Sequence, residues 1–320
     1  MKLSNERSLQ IKQVYPIVLV YGVMVVLAVL ANFINPGFLS KDNLYSIFKQ
    51  TAFLGIACIG QTLVILTGGI DLSLRYVILF SNVFAAQMIN GNETKTWSVF
   101  ALIILICVAI GIINGFGVYN LKIPAMVMTL AMGTILYGAT MLYCKGAPGG
   151  HASEIMSSLA NKSLFGVMNG VSVIWIALAV ITIIVLHYTS FGRAIYAVGT
   201  NAEAARYSGI NTPLVLYVVY IIAAIMGGIA GFLLLGYTEK GYLSTASSYN
   251  MDSIAAVVIG GTSIMGGKGS YVGTIAGVAI MMILSSLMTV LHMPEAGKEM
   301  VQGALIIALL LLVNARQRKS

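Results

Sequence analysis

The chain has 320 residues, of which 58% are hydrophobic and 9% charged, and its mean hydropathy is +0.93. A soluble domain of this length carries roughly a quarter charged residues, so a water-soluble globular fold is excluded and an all-α polytopic membrane protein is indicated. The net charge of +8 is better read as membrane orientation than as an affinity for nucleic acid.

Ten candidate spans follow one another along the chain, with edges uncertain by several residues. The first, about 17–34, comes directly after Lys2, Arg7 and Lys12 and is not followed by a small-residue cleavage site, so it reads as a retained span. The second, about 44–67, carries Gln50, Cys58 and Gln61 and runs into VILTGGIDLS at 64–73. Spans at about 72–89, 98–118 and 125–144 hold Asn82, Gln87, Asn114 and Thr129. A long connection precedes the sixth span at about 171–188. The seventh, about 214–236, is followed by a short eighth at 250–265, interrupted by Gly260-Gly261. The ninth and tenth are 271–292 and 298–313. The whole chain, 1–320, is expected to form one transmembrane domain.

Three glycine pairs, Gly111/Gly115, Gly227/Gly231 and Gly273/Gly277, stand four residues apart within spans. That spacing lets helix backbones approach closely in lipid. Two further clusters, at 64–73 and in VVIGGTSIMGGKGS at 257–270, each end an apolar run with Gly-Gly and then turn polar. Interrupted segments at corresponding places suggest two pseudo-repeated halves.

An even number of spans puts both termini on one side. If that side is the cytoplasm, eleven of the basic residues, including all six arginines, fall inside and seven fall outside. The positive-inside rule supports that orientation.

Between the sixth and seventh spans lies a polar island, GRAIYAVGTNAEAARYSGINTP at 192–213. Thr200 and Glu203 have capping-box spacing, and Gly209 stands where a left-handed C-cap would end the helix. A helix of about two turns is too short to persist alone in water, so it is expected to dock on a soluble partner. Asn201, Glu203, Ala204 and Arg206 would form that docking helix, with Gly209 closing it.

The intramembrane polar residues Gln61, Asn82, Asn114 and Thr129 are candidates for a substrate path, because a polar group in lipid should face the bundle interior or a water-filled cavity. They are uncharged, which suits a neutral hydroxylated cargo. No buried row of carboxylates, such as a proton-driven carrier would use, is expected. Asp71 and Arg75, four residues apart, could pair on a helix face or contribute to gating.

Other chemistry is poorly supported. The P-loop pattern needs Gly five residues before Gly267-Lys268 and Ser or Thr after it, but Thr262 and Gly269 stand there. The cysteines (58, 107, 144) and histidines (151, 187, 292) show neither metal-ligand nor catalytic spacing. The chain is therefore expected to be non-catalytic, without metal or cofactor of its own, and any ATP that powers it would bind another chain.

Four segments together carry a family resemblance: QTLVILTGGIDLS at 61–73, INGFGVYNLKIPAMVMTL at 113–130, FGRAIYAVGTNAEAARYSGI at 191–210 and MDSIAAVVIGGTSIMGGKGSYVGT at 251–274. The chain resembles the membrane permease subunit of bacterial sugar ABC importers of the ribose, galactose and xylose type. The resemblance implies a multi-pass protein of the bacterial inner membrane that forms the path for a monosaccharide or polyol. It also implies that 191–210 carries a coupling helix seated on the ATPase. The implied partners are a second permease chain (identical or a close paralogue), two ATP-binding cassette modules with their ATP and magnesium, an extracytoplasmic sugar-binding protein, and membrane lipid. The competing readings are the same architecture importing branched-chain amino acids or nucleosides, and a self-sufficient carrier or channel.

Overall fold

The computed structural model describes residues 2–164, 168–294, 296–298, 300–301, 303–304 and 307, with side chains from Ile17 onward. The helices are α1 (Lys2–Ile34), α2 (Lys41–Leu66), α3 (Leu74–Ile89), α4 (Thr96–Tyr119), α5 (Ala125–Cys144), α6 (Glu154–Asn161), α7 (Gly170–Tyr188), α8 (Ser190–Thr200), α9 (Ala202–Tyr207), α10 (Thr212–Thr238), α11 (Tyr249–Ile259) and α12 (Tyr271–Val290). A short antiparallel ribbon, Ser163–Leu164 with Met168–Asn169, lies between α6 and α7. Seven helices among the described residues are long and apolar enough to cross a membrane, while α3 and α11 are shorter apolar helices. An all-α polytopic architecture follows. Of the expected tenth span, 298–313, only residues 298, 300, 301, 303, 304 and 307 are described.

Helix α10 is the central post, packing against α4, α3 and α2. Glycine makes those contacts close. A Cβ on Gly111 of α4 would strike the Ile221 backbone of α10, one on Gly228 of α10 would strike Cys107, and one on Gly231 would strike the Ile78 carbonyl of α3. On the far side, Gly273 and Gly277 of α12 lie against the carbonyl oxygens of Gly260 and Ala256. The expected glycine-paired packing is therefore present. It suits a medium where apolar side chains gain little by leaving lipid and where van der Waals fit holds helices together.

The eighth span differs from the sequence expectation. Helix α11 stops at Ile259, and Gly261, at φ +88°, closes it: Gly261 N–H bonds Val258 O and Thr262 N–H bonds Val257 O. These are the paired bonds of a glycine-terminated helix end. Helix α2 ends the same way, with Gly68 at φ +83°, Gly68 N–H on Ile65 O and Gly69 N–H on Val64 O.

The connections gather at two ends. At one, Gly91 N–H bonds His151 O, Ala152 N–H bonds Glu239 O, and Asn161 Nδ2 donates to Gly236 O. Lys49 lies within α2, its ammonium 4.6 Å from the Tyr237 ring centre. At the opposite end, Tyr217 Oη donates to Asn120 at 2.7 Å, and the 67–73, 190–211 and 260–270 segments come together.

Candidate functional site

Two features at that second end carry the chemistry. The first is the segment 70–73, which enters the bundle as irregular backbone before α3 begins at Leu74. Asp71, 2% exposed, accepts hydrogen bonds from Ser73 N–H at 2.8 Å and Ser73 Oγ at 2.5 Å. Asn114 of α4 donates to Ser73 Oγ at 3.2 Å. Thr129 of α5 accepts from Leu72 N–H at 2.9 Å, its own proton lying between Ala125 O and Ile70 O. Asn250, in the first turn of α11, donates to Leu72 O at 2.9 Å and accepts from Arg75 N–H at 3.1 Å. Two helices, α5 and α11, thus satisfy backbone groups that no ladder could reach, as buried peptide groups require, while α4 holds the Ser73 hydroxyl.

This corrects the expected pairing of Asp71 with Arg75. Residues 67–73 are not helical, so the four-residue spacing has no shared face. The Arg75 guanidinium instead stacks 4.8 Å from the Tyr76 ring centre. Two carboxylates, Asp71 and Asp252 of α11, are each 2% exposed.

The four expected path residues are all buried but are not equivalent. Asn114 and Thr129 meet at the 70–73 segment. Asn82 donates to Gly231 O at 3.4 Å, and its carbonyl oxygen has no partner. Gln61, fully buried, has neither its amide nitrogen nor its oxygen hydrogen-bonded, and Asn114 Oδ1 is also unpartnered. Thr129 alone uses its hydroxyl fully.

The second feature is the arm α8–α9. The island forms two helices where one was expected. Thr200 ends α8, its hydroxyl turned back to Tyr196 O at 2.8 Å, so it caps nothing. Asn201, extended at φ −163° and ψ 106°, both ends α8 and caps α9 through Ala204 N–H at 2.9 Å. Glu203 then falls one position too early for a capping box. Gly209 does close α9, at φ +85°, with Ile210 N–H on Ala205 O. Helix α8 could have been found from Gly192, Ile195 and Val198, three residues apart and all buried.

In α9 only Ala205 is buried; Glu203, Ala204, Arg206 and Tyr207 are exposed, Tyr207 to 90%. The arm rests on glycine. A Cβ on Gly199 would overlap Leu66 O and Gly267 N, and Gly267 N–H donates to Leu66 O at 2.9 Å. Tyr196 Oη donates to Gly269 O at 2.9 Å. The arm, the end of α2 and the 260–270 loop thus meet backbone to backbone.

Comparison with known proteins bears on this arrangement. Residues 43–310 match the family described as the branched-chain amino acid transport system / permease component. The ribose import permease protein of Haemophilus influenzae is 34% identical, covering 91% of this chain and 90% of that protein. The inner membrane ABC transporter permease protein YjfF of Escherichia coli K12 is 38% identical over 84% and 82%. The galactose/methyl galactoside import permease protein of the same strain is 29% identical over 90% and 91%. No solved structure matches at a significant level.

The tie at Thr129 gives a direct expectation. Thr129→Val keeps the shape but removes the acceptor for Leu72 N–H, and an orphaned buried donor costs about 1–3 kcal/mol. The melting temperature of the purified protein in detergent should fall. Thr134→Val, whose hydroxyl only returns to Leu130 O on an exposed face, should leave it unchanged. Equal melting of both variants would remove Thr129 from the tie.

Proposed function

Because the chain belongs to the permease-component family of ATP-driven importers, we propose that it forms the translocation path of a bacterial inner-membrane sugar importer. A neutral monosaccharide or polyol is the proposed cargo. The observation that carries this reading is the exposed α9, capped at one end by Asn201 and at the other by Gly209, on an arm packed against the ends of two membrane helices. Sugar is favoured over amino acids or nucleosides because the relatives named for a cargo, at 29–34% identity across nine-tenths of the chain, are ribose and galactose permeases.

On this reading the chain hydrolyses nothing itself. ATP and magnesium belong to two ATP-binding cassette subunits, which α9 meets through Glu203, Arg206 and Tyr207. Exposed Tyr and Arg are the residue types that dominate interface energy. A second permease chain, identical or paralogous, completes the path, and an extracytoplasmic sugar-binding protein delivers cargo. Ten spans with both termini cytoplasmic remain the proposed topology, supported by the basic-residue asymmetry. Two pseudo-repeated halves are supported by the matching helix ends at Gly68 and Gly261, each followed by a serine (Ser73, Ser270) that starts the next helix.

Within the path, Gln61 offers both polar atoms of its amide, and Asn82 and Asn114 their carbonyl oxygens, without protein partners. An unmatched polar group costs about 1–3 kcal/mol, and passing hydroxyls could take up those bonds. Thr129 shapes the path by fixing 70–72, and Asp71 with Arg75 marks the gate that this segment forms.

Three outcomes follow. Asn201→Ala removes the α9 cap, which is worth roughly 0.5–2 kcal/mol, and should uncouple sugar-stimulated ATP hydrolysis while membrane abundance holds. Ala204→Pro should act through the same bond, because a proline there deletes the N–H that Asn201 accepts while a first-turn position tolerates the ring. Full coupling in both would leave α9 without its role. Gln61→Leu and Asn114→Leu should slow uptake at unchanged abundance; unaltered uptake in both would make them packing residues. A cysteine at exposed Glu154 should react with an impermeant thiol reagent added outside, against a silent background, since Cys58, Cys107 and Cys144 are buried. Labelling only from the cytoplasm would invert the topology.

A further inference from the structure

Helix α3 is enclosed except along one narrow face. Residues 77–79, 81–83, 85 and 86 are buried, whereas Tyr76, Phe80, Phe84 and Gln87 are only partly covered. Spacings of three and four residues put these four on one side of the helix. We propose that this face, with Tyr137 and Tyr143 of α5, is an aromatic track on which the C–H face of a neutral sugar rides through the path. The inference rests on the importer reading above. It adds what the buried amides leave unmet, since amides answer a sugar's hydroxyls and rings answer its carbons.

The rings form a continuous row. Tyr76 and Tyr137 meet edge-on with centres 6.1 Å apart, and Phe84 lies 5.1 Å from Tyr143. Between these pairs Phe80 stacks on Phe84 at 5.2 Å, their planes 20° apart. From Tyr76 to Phe84 the row rises about 12 Å along the helix. It starts beside the 70–73 segment and leads toward the opposite end of the bundle. Its inner end is closely fitted. A Cβ on Gly133 of α5 would strike the Tyr76 ring, so glycine there makes room for it, and the Arg75 guanidinium stacks 4.8 Å from its centre.

Water, not lipid, borders such a face. An arginine at membrane depth is costly and turns to a bundle interior or a water-filled cavity. Arg75 stands at one end of the row and the Gln87 amide at the other. Helix α3 has 16 residues and rises about 24 Å, less than the roughly 30 Å of hydrocarbon that a lipid-facing helix must cross. The exposed face of α1, by contrast, is mostly valine and leucine. The chemistry then selects the cargo. A sugar ring carries hydroxyls at its rim and C–H bonds on its faces, and those slightly positive hydrogens are drawn to the negative face of an aromatic ring. Each contact is weak, which suits a surface that must release what it holds. Rings a few ångströms apart let one contact form as another breaks, and Arg75 adds donors for the hydroxyls at the inner end.

The test uses the complete importer in proteoliposomes, with D-ribose and D-galactose as probes. Phe80→Leu and Phe84→Leu keep the face apolar but remove the ring. Each should lower uptake about threefold at unchanged permease abundance and unchanged retention of the ATP-binding subunit. Phe84→Tyr should keep parental uptake, as should Phe33→Leu on α1, a residue 78% exposed. Phe80→Cys should react with a charged thiol reagent, which attacks only a thiolate in water, in the nucleotide-free or the vanadate-trapped importer. Transported sugar should slow that reaction. Parental uptake in both leucine variants overturns the track and leaves the permease reading standing. No labelling of Phe80→Cys in either state overturns it in favour of lipid. A Phe84→Cys permease that cross-links into dimers on oxidation and stays unlabelled overturns it in favour of contact between two copies. A parent importer that hydrolyses ATP but moves neither sugar overturns the sugar reading and the track together.

Discussion

The backbone of residues 70–73 has no regular ladder of its own, yet it lies inside a membrane bundle. Every peptide group there must find a partner among side chains, because lipid offers none. Thr129 and Asn250 provide such partners from α5 and α11, and Asn114 of α4 holds the Ser73 hydroxyl beside them. The placement of these three helices therefore depends on one short segment, and the segment depends on them. Asp71 completes the arrangement by accepting from Ser73 twice, which organises the entry to α3 without a charged partner. A substitution that disturbs this knot changes the start of α3 and the position of α11 together.

From that knot, connectivity runs in two directions. Through α3 it reaches α10, where Leu74 and Val77 pack on Gly227 and Ile78 on Gly231. Through Leu66 it reaches Gly267 and the arm at Gly199. The putting-together of this segment, the post and the arm thus uses hydrogen bonds and close backbone contacts, interactions that keep their strength in lipid, where burial of apolar surface adds little.

Much of this was legible in the sequence, and what was missed has physical causes. The apolar spans, the glycine pairs and Gly209 could be read because each depends on local composition or a single backbone angle. The cap was misassigned by one residue: Thr200 and Asn201 both have suitable side chains, and only the extended backbone at 201 decides between them. The pairing of Asp71 with Arg75 assumed a helix where Gly68 and Gly69 had already ended one. The role of Asn250 could not be read at all, since its partner Arg75 is 175 positions away in the chain.

The contact at Gly199 has a mechanical corollary. Side chains between moving parts behave as springs: they change rotamer and absorb small displacements before passing any on. Here three strands of main chain touch with no side chain between them, so the joint has almost no play. A shift of the arm toward the bundle is blocked at once by Leu66 O and Gly267 N, and the ends of two helices have to yield with it. Such a joint transmits strokes well below the width of a methyl group, and it works equally in reverse, reporting at the arm any rearrangement that begins among the spans.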